Sequence, residues 1–202
     1  MKTKQKLILV AVGAIAIVSC FMYERLNYAF GRHILREKEA TVKQIAEHMK
    51  REGATIRTDK LRSIATMVYN EAADYNVDYR LVLAIMKVES NFRHDAVSSK
   101  GARGLLQVKP SLAKFIANDI GIQWRGPKTL DEPDKNIKIG VHLFSALVND
   151  FDNISMALHA YHVGPTRLKE ILTKNRKPDD CFINAVLGEY RRVKTLLPDP
   201  QR

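Results

Sequence analysis

Glu89 follows an apolar stretch, Leu81-Val82-Leu83-Ala84-Ile85-Met86-Lys87-Val88, interrupted only by Lys87. A carboxylate at the C-terminal end of a helix stands against the helix dipole, and Met86, Val88 and Phe92 around it penalise its charged form. Both effects raise its pKa, and a carboxylic acid kept protonated near neutral pH is what general-acid catalysis requires. A solvated glutamate closing a helix is the alternative reading. Ala96-Val97-Ser98-Ser99-Lys100-Gly101-Ala102-Arg103-Gly104-Leu105-Leu106-Gln107 comes next. Gly101 and Gly104 let the backbone turn tightly and approach a ligand closely. Ser98 and Gln107 offer neutral hydrogen-bonding groups suited to hydroxyls and amides. Standing alone, this segment reads as a Gly-Ser turn between helices.

A third segment, Ala157-Leu158-His159-Ala160-Tyr161-His162-Val163-Gly164-Pro165, places a tyrosine and two histidines at a helix end. His159 and His162 are three apart, lack the HExxH arrangement and have no evident third ligand, so no metal site is expected. Two cysteines, Cys20 and Cys181, are too few for a disulfide scaffold or a cysteine-ligated zinc site. Cys181 is expected as a small buried residue at a helix start.

The elements that must position these groups are helical. Thr58 or Asp59 can cap a helix through Tyr75, with Leu61, Ile64, Ala65, Val68 and Ala72 on one face. Asp78 can cap the helix that carries Glu89, apolar almost all round and therefore central. Residues 94–104 read as a loop, Pro110 opens a helix, and residues 121–135 read as a second loop. Asn136–Phe151, Ile154–Tyr161, a helix capped by Thr166 and a last one, Phe182–Leu197, complete the pattern. No segment shows a strand period or a hairpin turn. The expectation is an all-α domain over residues 57–198, preceded by an apolar segment (1–23) and a charged helical connector (24–56). The connector carries Ile34, Val42, Ile45 and Met49 at loose helical spacing, equally consistent with a spacer and with an amphipathic helix packed on the domain.

The three chemical segments together resemble the lytic transglycosylase domain of the soluble-lytic-transglycosylase (SLT) type, within the lysozyme-like superfamily. The matching residues are Glu89-Ser90-Asn91-Phe92, then Ala96-Val97-Ser98 through Gly101-Ala102-Arg103-Gly104-Leu105-Leu106-Gln107, then Ala160-Tyr161 with Gly164-Pro165. Asn136, Gly140 and Leu143 resemble the family's intervening helix, and Tyr190 with Val193 its closing helix. Leu106 stands where the family usually has Met, and His162 where it usually has Asn. The resemblance implies a lysozyme-like fold and a cofactor-free lyase acting on peptidoglycan glycan strands. Glu89 would be its catalytic residue, acid first and base afterwards. Ser98, Gln107, Tyr161 and His162 would meet substrate or steady the site, while Ser90, Phe92, Gly101 and Gly104 carry the motif structure. A single-carboxylate mechanism also suits the chain, since Asp95 is the only near candidate for a second acid. Two other functions remain open: a muramidase-type hydrolase on the same fold, and a weakly active or inactive wall-binding component of an envelope assembly.

The charge is +11, from 33 Lys+Arg against 22 Asp+Glu. Residues 1–60 hold 12 and 6 of these, a net +6, and residues 61–202 hold 21 and 16, a net +5. A nucleic-acid domain would concentrate basic charge in its folded part, so no nucleic-acid partner is expected. Lys2, Lys4 and Lys6 precede the apolar run Leu7 to Met22, the order of an export signal or N-terminal anchor. At 16 residues the run extends about 24 Å as a helix, short against a hydrocarbon core of about 30 Å. An uncleaved anchor, a cleaved signal and cleavage before a lipidated Cys20 are all consistent with it. The expected place of work is the periplasmic face of the membrane or the cell envelope, with any machine partners unspecified.

Overall fold

A computed structural model describes residues 2–54 and 56–200, with side chains described from residue 19 onward. The expected export segment therefore falls almost wholly on side chains outside the described residues. Among the described residues, no helix is long and apolar enough to cross a membrane. The chain divides into two compact units, one through Thr41 and one from Val42.

Eight α-helices and one short 3-10 helix are found among the described residues, with no strand beyond isolated bridges that pair Arg103 with Val97 and Val108. Helix α1, Lys2–Arg51, runs through the first unit and supplies the first turns of the second. In the first unit Phe21, Tyr23, Leu26, Tyr28 and Phe30 are exposed. The second unit begins earlier than the sequence boundary at 57. Val42, Ile45 and Met49 lie at i, i+3 and i+7 on one face of α1 and are buried in its core, joined by Ile56. Those residues behave as an amphipathic helix packed on the domain, whereas Ile34 stays exposed.

Helix α2, Thr58–Asp74, buries the expected face, Leu61, Ile64, Ala65, Val68 and Ala72. Its N-cap is Arg57, with no side-chain capping bond, so neither Thr58 nor Asp59 plays that part. Helix α3, Tyr79–Ser90, is capped by Asp78, whose carboxylate accepts from the Arg80 N–H at 2.9 Å. Residues Tyr79 to Met86 are all buried, which makes α3 the axis of the unit. Helix α4 (Pro110–Asp119) opens on a proline as expected, and the second loop contains the 3-10 helix Pro127–Asp131. Helices α5 (Pro133–Phe151), α6 (Ile154–Val163), α7 (Pro165–Thr173) and α8 (Cys181–Leu196) follow. Helix α8 lies along α3, and α5 packs between α2 and α6. Cys181 does begin a helix but is exposed, contrary to the expectation of burial. Phe182 and Ile183, the next residues, take the core-facing side instead.

Candidate active site

The end of α3 determines where Glu89 points. Asn91 (φ 50°) and Phe92 (φ 60°) are both left-handed, and their N–H groups return to the carbonyls of Lys87 and Met86 at 3.0 and 3.4 Å. This closure resembles a Schellman turn made without glycine. It drives Phe92 fully into the core, edge-on to His48 at 6.4 Å, while Glu89 is half-buried. Lys87 pairs with Glu52 at 3.2 Å, and Glu52 also receives Arg192 at 2.8 Å. The last turn of α3 is thereby tied to the end of α1 and to α8.

The loop from Ala96 to Val108 is held almost entirely by its own backbone and by polar side chains. Ser98 accepts the Ala102 N–H on its hydroxyl at 3.0 Å, and the Gly101 N–H donates to the Ser98 carbonyl at 2.9 Å. Gln107, itself left-handed (φ 47°), donates its amide nitrogen to the carbonyls of Ala96 and Gly104 at 3.0 and 2.9 Å. Two successive carbonyls then fasten the loop to its neighbours. The Leu105 carbonyl accepts from the Ser90 hydroxyl of α3 at 2.8 Å, and the Leu106 carbonyl accepts from the Tyr161 hydroxyl of α6 at 2.6 Å. Asn136, fully buried on α5, completes the anchorage. Its oxygen accepts from the Leu106 N–H at 2.9 Å, and its nitrogen donates to the carbonyls of Arg103 and Leu130 at 2.9 and 3.0 Å.

Gly104 (φ 79°) is the residue this arrangement cannot replace. A Cβ there would overlap the Asn136 amide and the Leu130 carbonyl, in a backbone conformation that already disfavours side chains. Gly104→Ala is expected to lower stability by about 4 kcal/mol, a fall of about 10 °C in melting temperature. Gly101→Ala, which meets open space, is expected to carry only the cost of its positive φ. Equal melting temperatures for the two variants would show that the Gly104–Asn136 approach is not constraining.

These elements enclose a cavity of about 470 Å³. Glu89, Ser98, Gln107, Tyr161 and His162 all line it, although they come from three separated segments. Asp95 is exposed and does not, so Glu89 is the only carboxylate among the lining residues. Burial pushes the Glu89 carboxyl up to about 7, with no charged partner pulling it back. Tyr161 is likewise raised by burial and, secondarily, by Glu89, so it stays protonated and keeps donating to Leu106. His162 lies at the rim, exposed, with its ring stacked on Phe182 at 4.3 Å. Burial, and then nearby Lys100, lower its pKa.

Sequence reasoning did not find Lys109 and Leu112 at the start of α4, or Arg167 on α7, which also form the walls. Nothing in their own segments marks them, because they reach the cavity only through packing. A larger recess, about 930 Å³, lies at the other end of α3. Its polar groups satisfy one another: Arg80 holds Asp78 and Asp199, and Tyr190 donates to Asp78. The smaller cavity, lined by an acid of raised pKa and by Lys100, Lys109 and Arg167, which have no ion-pair partner among the described residues, is the one equipped for chemistry. Among the described residues no cluster of metal-ligating side chains occurs.

An acid at the end of a buried helix and a loop pinned by Gly104 and Asn136 thus line one cavity of an all-helical unit. The chain belongs to the transglycosylase SLT domain family, whose model matches residues 66–182. It is 33% identical over 103 residues to the soluble lytic murein transglycosylase of Salmonella typhimurium, covering 50% of this chain and 16% of that protein. Membrane-bound lytic murein transglycosylase C of Haemophilus ducreyi is 28% identical over 173 residues, covering 80% of this chain and 45% of that protein. Among solved structures, an inactive mutant of the lytic transglycosylase Slt from Pseudomonas aeruginosa superposes with a TM-score of 0.50 at 29% identity, over 64% of this chain and 22% of that one. The 70 kDa soluble lytic transglycosylase of Escherichia coli, at 20% identity and a TM-score of 0.52, shares the fold over 77% of this chain and 28% of its own. The chain thus matches less than half the length of each of these relatives.

Proposed function

We propose that this protein is an exported lytic transglycosylase that cleaves the β-1,4 bond between N-acetylmuramic acid and N-acetylglucosamine in peptidoglycan, without adding water. The observation that carries the reading is Glu89, a lone carboxyl raised to about 7 by burial inside the cavity. Protonated, Glu89 donates to the glycosidic oxygen as the C1–O bond breaks. As carboxylate, it then removes the proton of the muramoyl C6 hydroxyl while that oxygen attacks C1. The products are a free sugar hydroxyl and a 1,6-anhydro end, and Glu89 recovers its proton. A hydrolase working through paired carboxylates needs a second acid at the scissile bond, and no other carboxylate lines this cavity.

Ser98, Gln107, Tyr161 and His162 act at the sugar-contacting wall in this reading. The amide nitrogen of Gln107 is engaged with the loop, and the hydroxyl of Tyr161 holds Leu106. These two therefore present a wall whose shape is already set before substrate arrives. The basic N-terminal flank and apolar run, together with the relatives named as membrane-bound, support a place in the cell envelope. Digestion of isolated sacculi followed by mass spectrometry of the released muropeptides tests the reaction. Anhydro ends support it, and ends carrying one added water overturn it in favour of hydrolysis.

The raised pKa gives the pH dependence its sign. The free enzyme must carry the Glu89 proton to start, so kcat/KM is expected to be level below about pH 7 and to fall as pH rises through that value. The fall approaches tenfold per pH unit on the alkaline side. An initial-rate profile that rises between pH 6 and 8 would exclude Glu89 as the initial acid.

A further inference from the structure

We infer that the cavity also holds a carboxylate-bearing substituent of its glycan substrate, through Lys100, Lys109 and Arg167. The inference rests on the glycan-cleaving reading above and concerns what the strand must carry to bind well. Lys100 belongs to the loop, Lys109 stands at the entry to α4, and Arg167 lies on α7, so the three cations come from different walls of one recess.

What distinguishes them is that they line the cavity while carrying no carboxylate partner among the described residues, unlike several basic residues that brace the unit. Arg103 is paired with Asp131 at 2.7 Å, Lys135 with Glu132, and both Lys87 and Arg192 with Glu52. Among the described residues, no carboxylate lies within ion-pair distance of Lys100, Lys109 or Arg167. The lone acid of the cavity carries at most one negative charge, and about half of that at pH 7, so it does not balance three cations. Three uncompensated positive charges in a concave site focus an attractive field on anions. Neutral sugar hydroxyls and acetamido groups do not call for such a field, whereas a carboxylate pairs with it directly, bidentately in the case of arginine.

Carboxylates of this substrate class have two sources. In a peptide-bearing strand they lie on the stem peptide, because the muramoyl lactyl group is tied up as an amide. In a strand stripped of its peptides, the lactyl group is itself a free carboxylate. Chitin oligosaccharides carry neither, yet present the same backbone of β-1,4-linked sugars.

The test uses Lys100→Gln, Lys109→Gln and Arg167→Gln, singly and combined, in the full chain. The three side chains are exposed, so melting temperatures serve as a control for folding. Each neutralisation is expected to raise KM roughly threefold on carboxylate-bearing strands, and all three together about tenfold or more. kcat is expected to change less than about twofold, and binding of chitin oligosaccharides to stay as in the unmodified protein. Loss confined to peptide-bearing strands assigns the carboxylate to the stem, loss confined to stripped strands assigns it to the lactyl group, and loss on both shows that the cations accept either. An unchanged KM in the triple variant, or an equal weakening of chitin binding, overturns the inference. Failure of the underlying reading is separately visible, as cleavage that survives Glu89→Gln.

Discussion

Glu89→Gln is expected to eliminate strand cleavage, by at least about a thousandfold, while leaving the fold intact. The same carboxyl serves as acid and then as base in the proposed reaction, and each such role is ordinarily worth about 10²–10⁴ in rate. Gln has nearly the same shape but neither donates a proton to a leaving oxygen nor accepts one from a hydroxyl. No second carboxylate lines the cavity to take over. The stability consequence runs the other way. A carboxyl whose pKa is raised to about 7 on folding, from an ordinary value of 4.5, holds its proton more tightly folded than unfolded. Its presence therefore costs stability progressively as pH rises between those values, and the cost is complete above about 7. Glu89→Gln removes that cost, so at pH 8 the variant is expected to melt no lower than the parent protein. Anhydro-muropeptide release by mass spectrometry and thermal melting at pH 5 and 8 measure the two effects. Full activity in the variant would remove Glu89 from the mechanism.

A chain starting at residue 57 is expected not to fold, whereas one starting at residue 42 is expected to melt as the whole protein does. The end of α1 supplies Val42, Ile45 and Met49 to the core, with Ile56 just beyond it. Burial of such side chains stabilises by about 1.5–3 kcal/mol each, so losing four removes roughly 6–12 kcal/mol. That is comparable to the whole stability of a typical domain, about 5–15 kcal/mol. The loss extends to the site. His48 lies edge-on to Phe92, and Glu52 joins Lys87 to Arg192, so removing both exposes the turn that aims Glu89. Circular dichroism melts of the two shortened chains compare them directly. Equal, cooperative melting from residue 57 would show that the α1 segment only decorates the domain.

Much of the candidate site was legible because its signals are local. The face of α2 follows from helical spacing, and the Asp78 cap from residue type beside an apolar run. Glu89 closes a helix that is apolar almost all round, but that local pattern fits a solvated glutamate as well, and only its combination with the two later segments singled it out. Cys181 misled for a related reason: its type favours burial, but a one-residue difference around the first turn of α8 leaves it outside and Phe182 inside. The end of α1 was ambiguous because three apolar residues among many charges fit a spacer and a docked helix alike. Only the presence of a receiving core distinguishes them.

The sequence by itself determined the all-helical fold class and the order of the three segments that line the cavity. Helical period, caps and glycines act over a few residues, so the chain states them directly. The tertiary structure alone decided that the Leu105 and Leu106 carbonyls hold α3 and α6 to one loop, that Asn136 and Gly104 meet, and that Lys109 and Arg167 share a cavity with Glu89. Those facts depend on which surfaces pack together across long stretches of chain. So does the desolvation that makes one glutamate an acid near neutral pH.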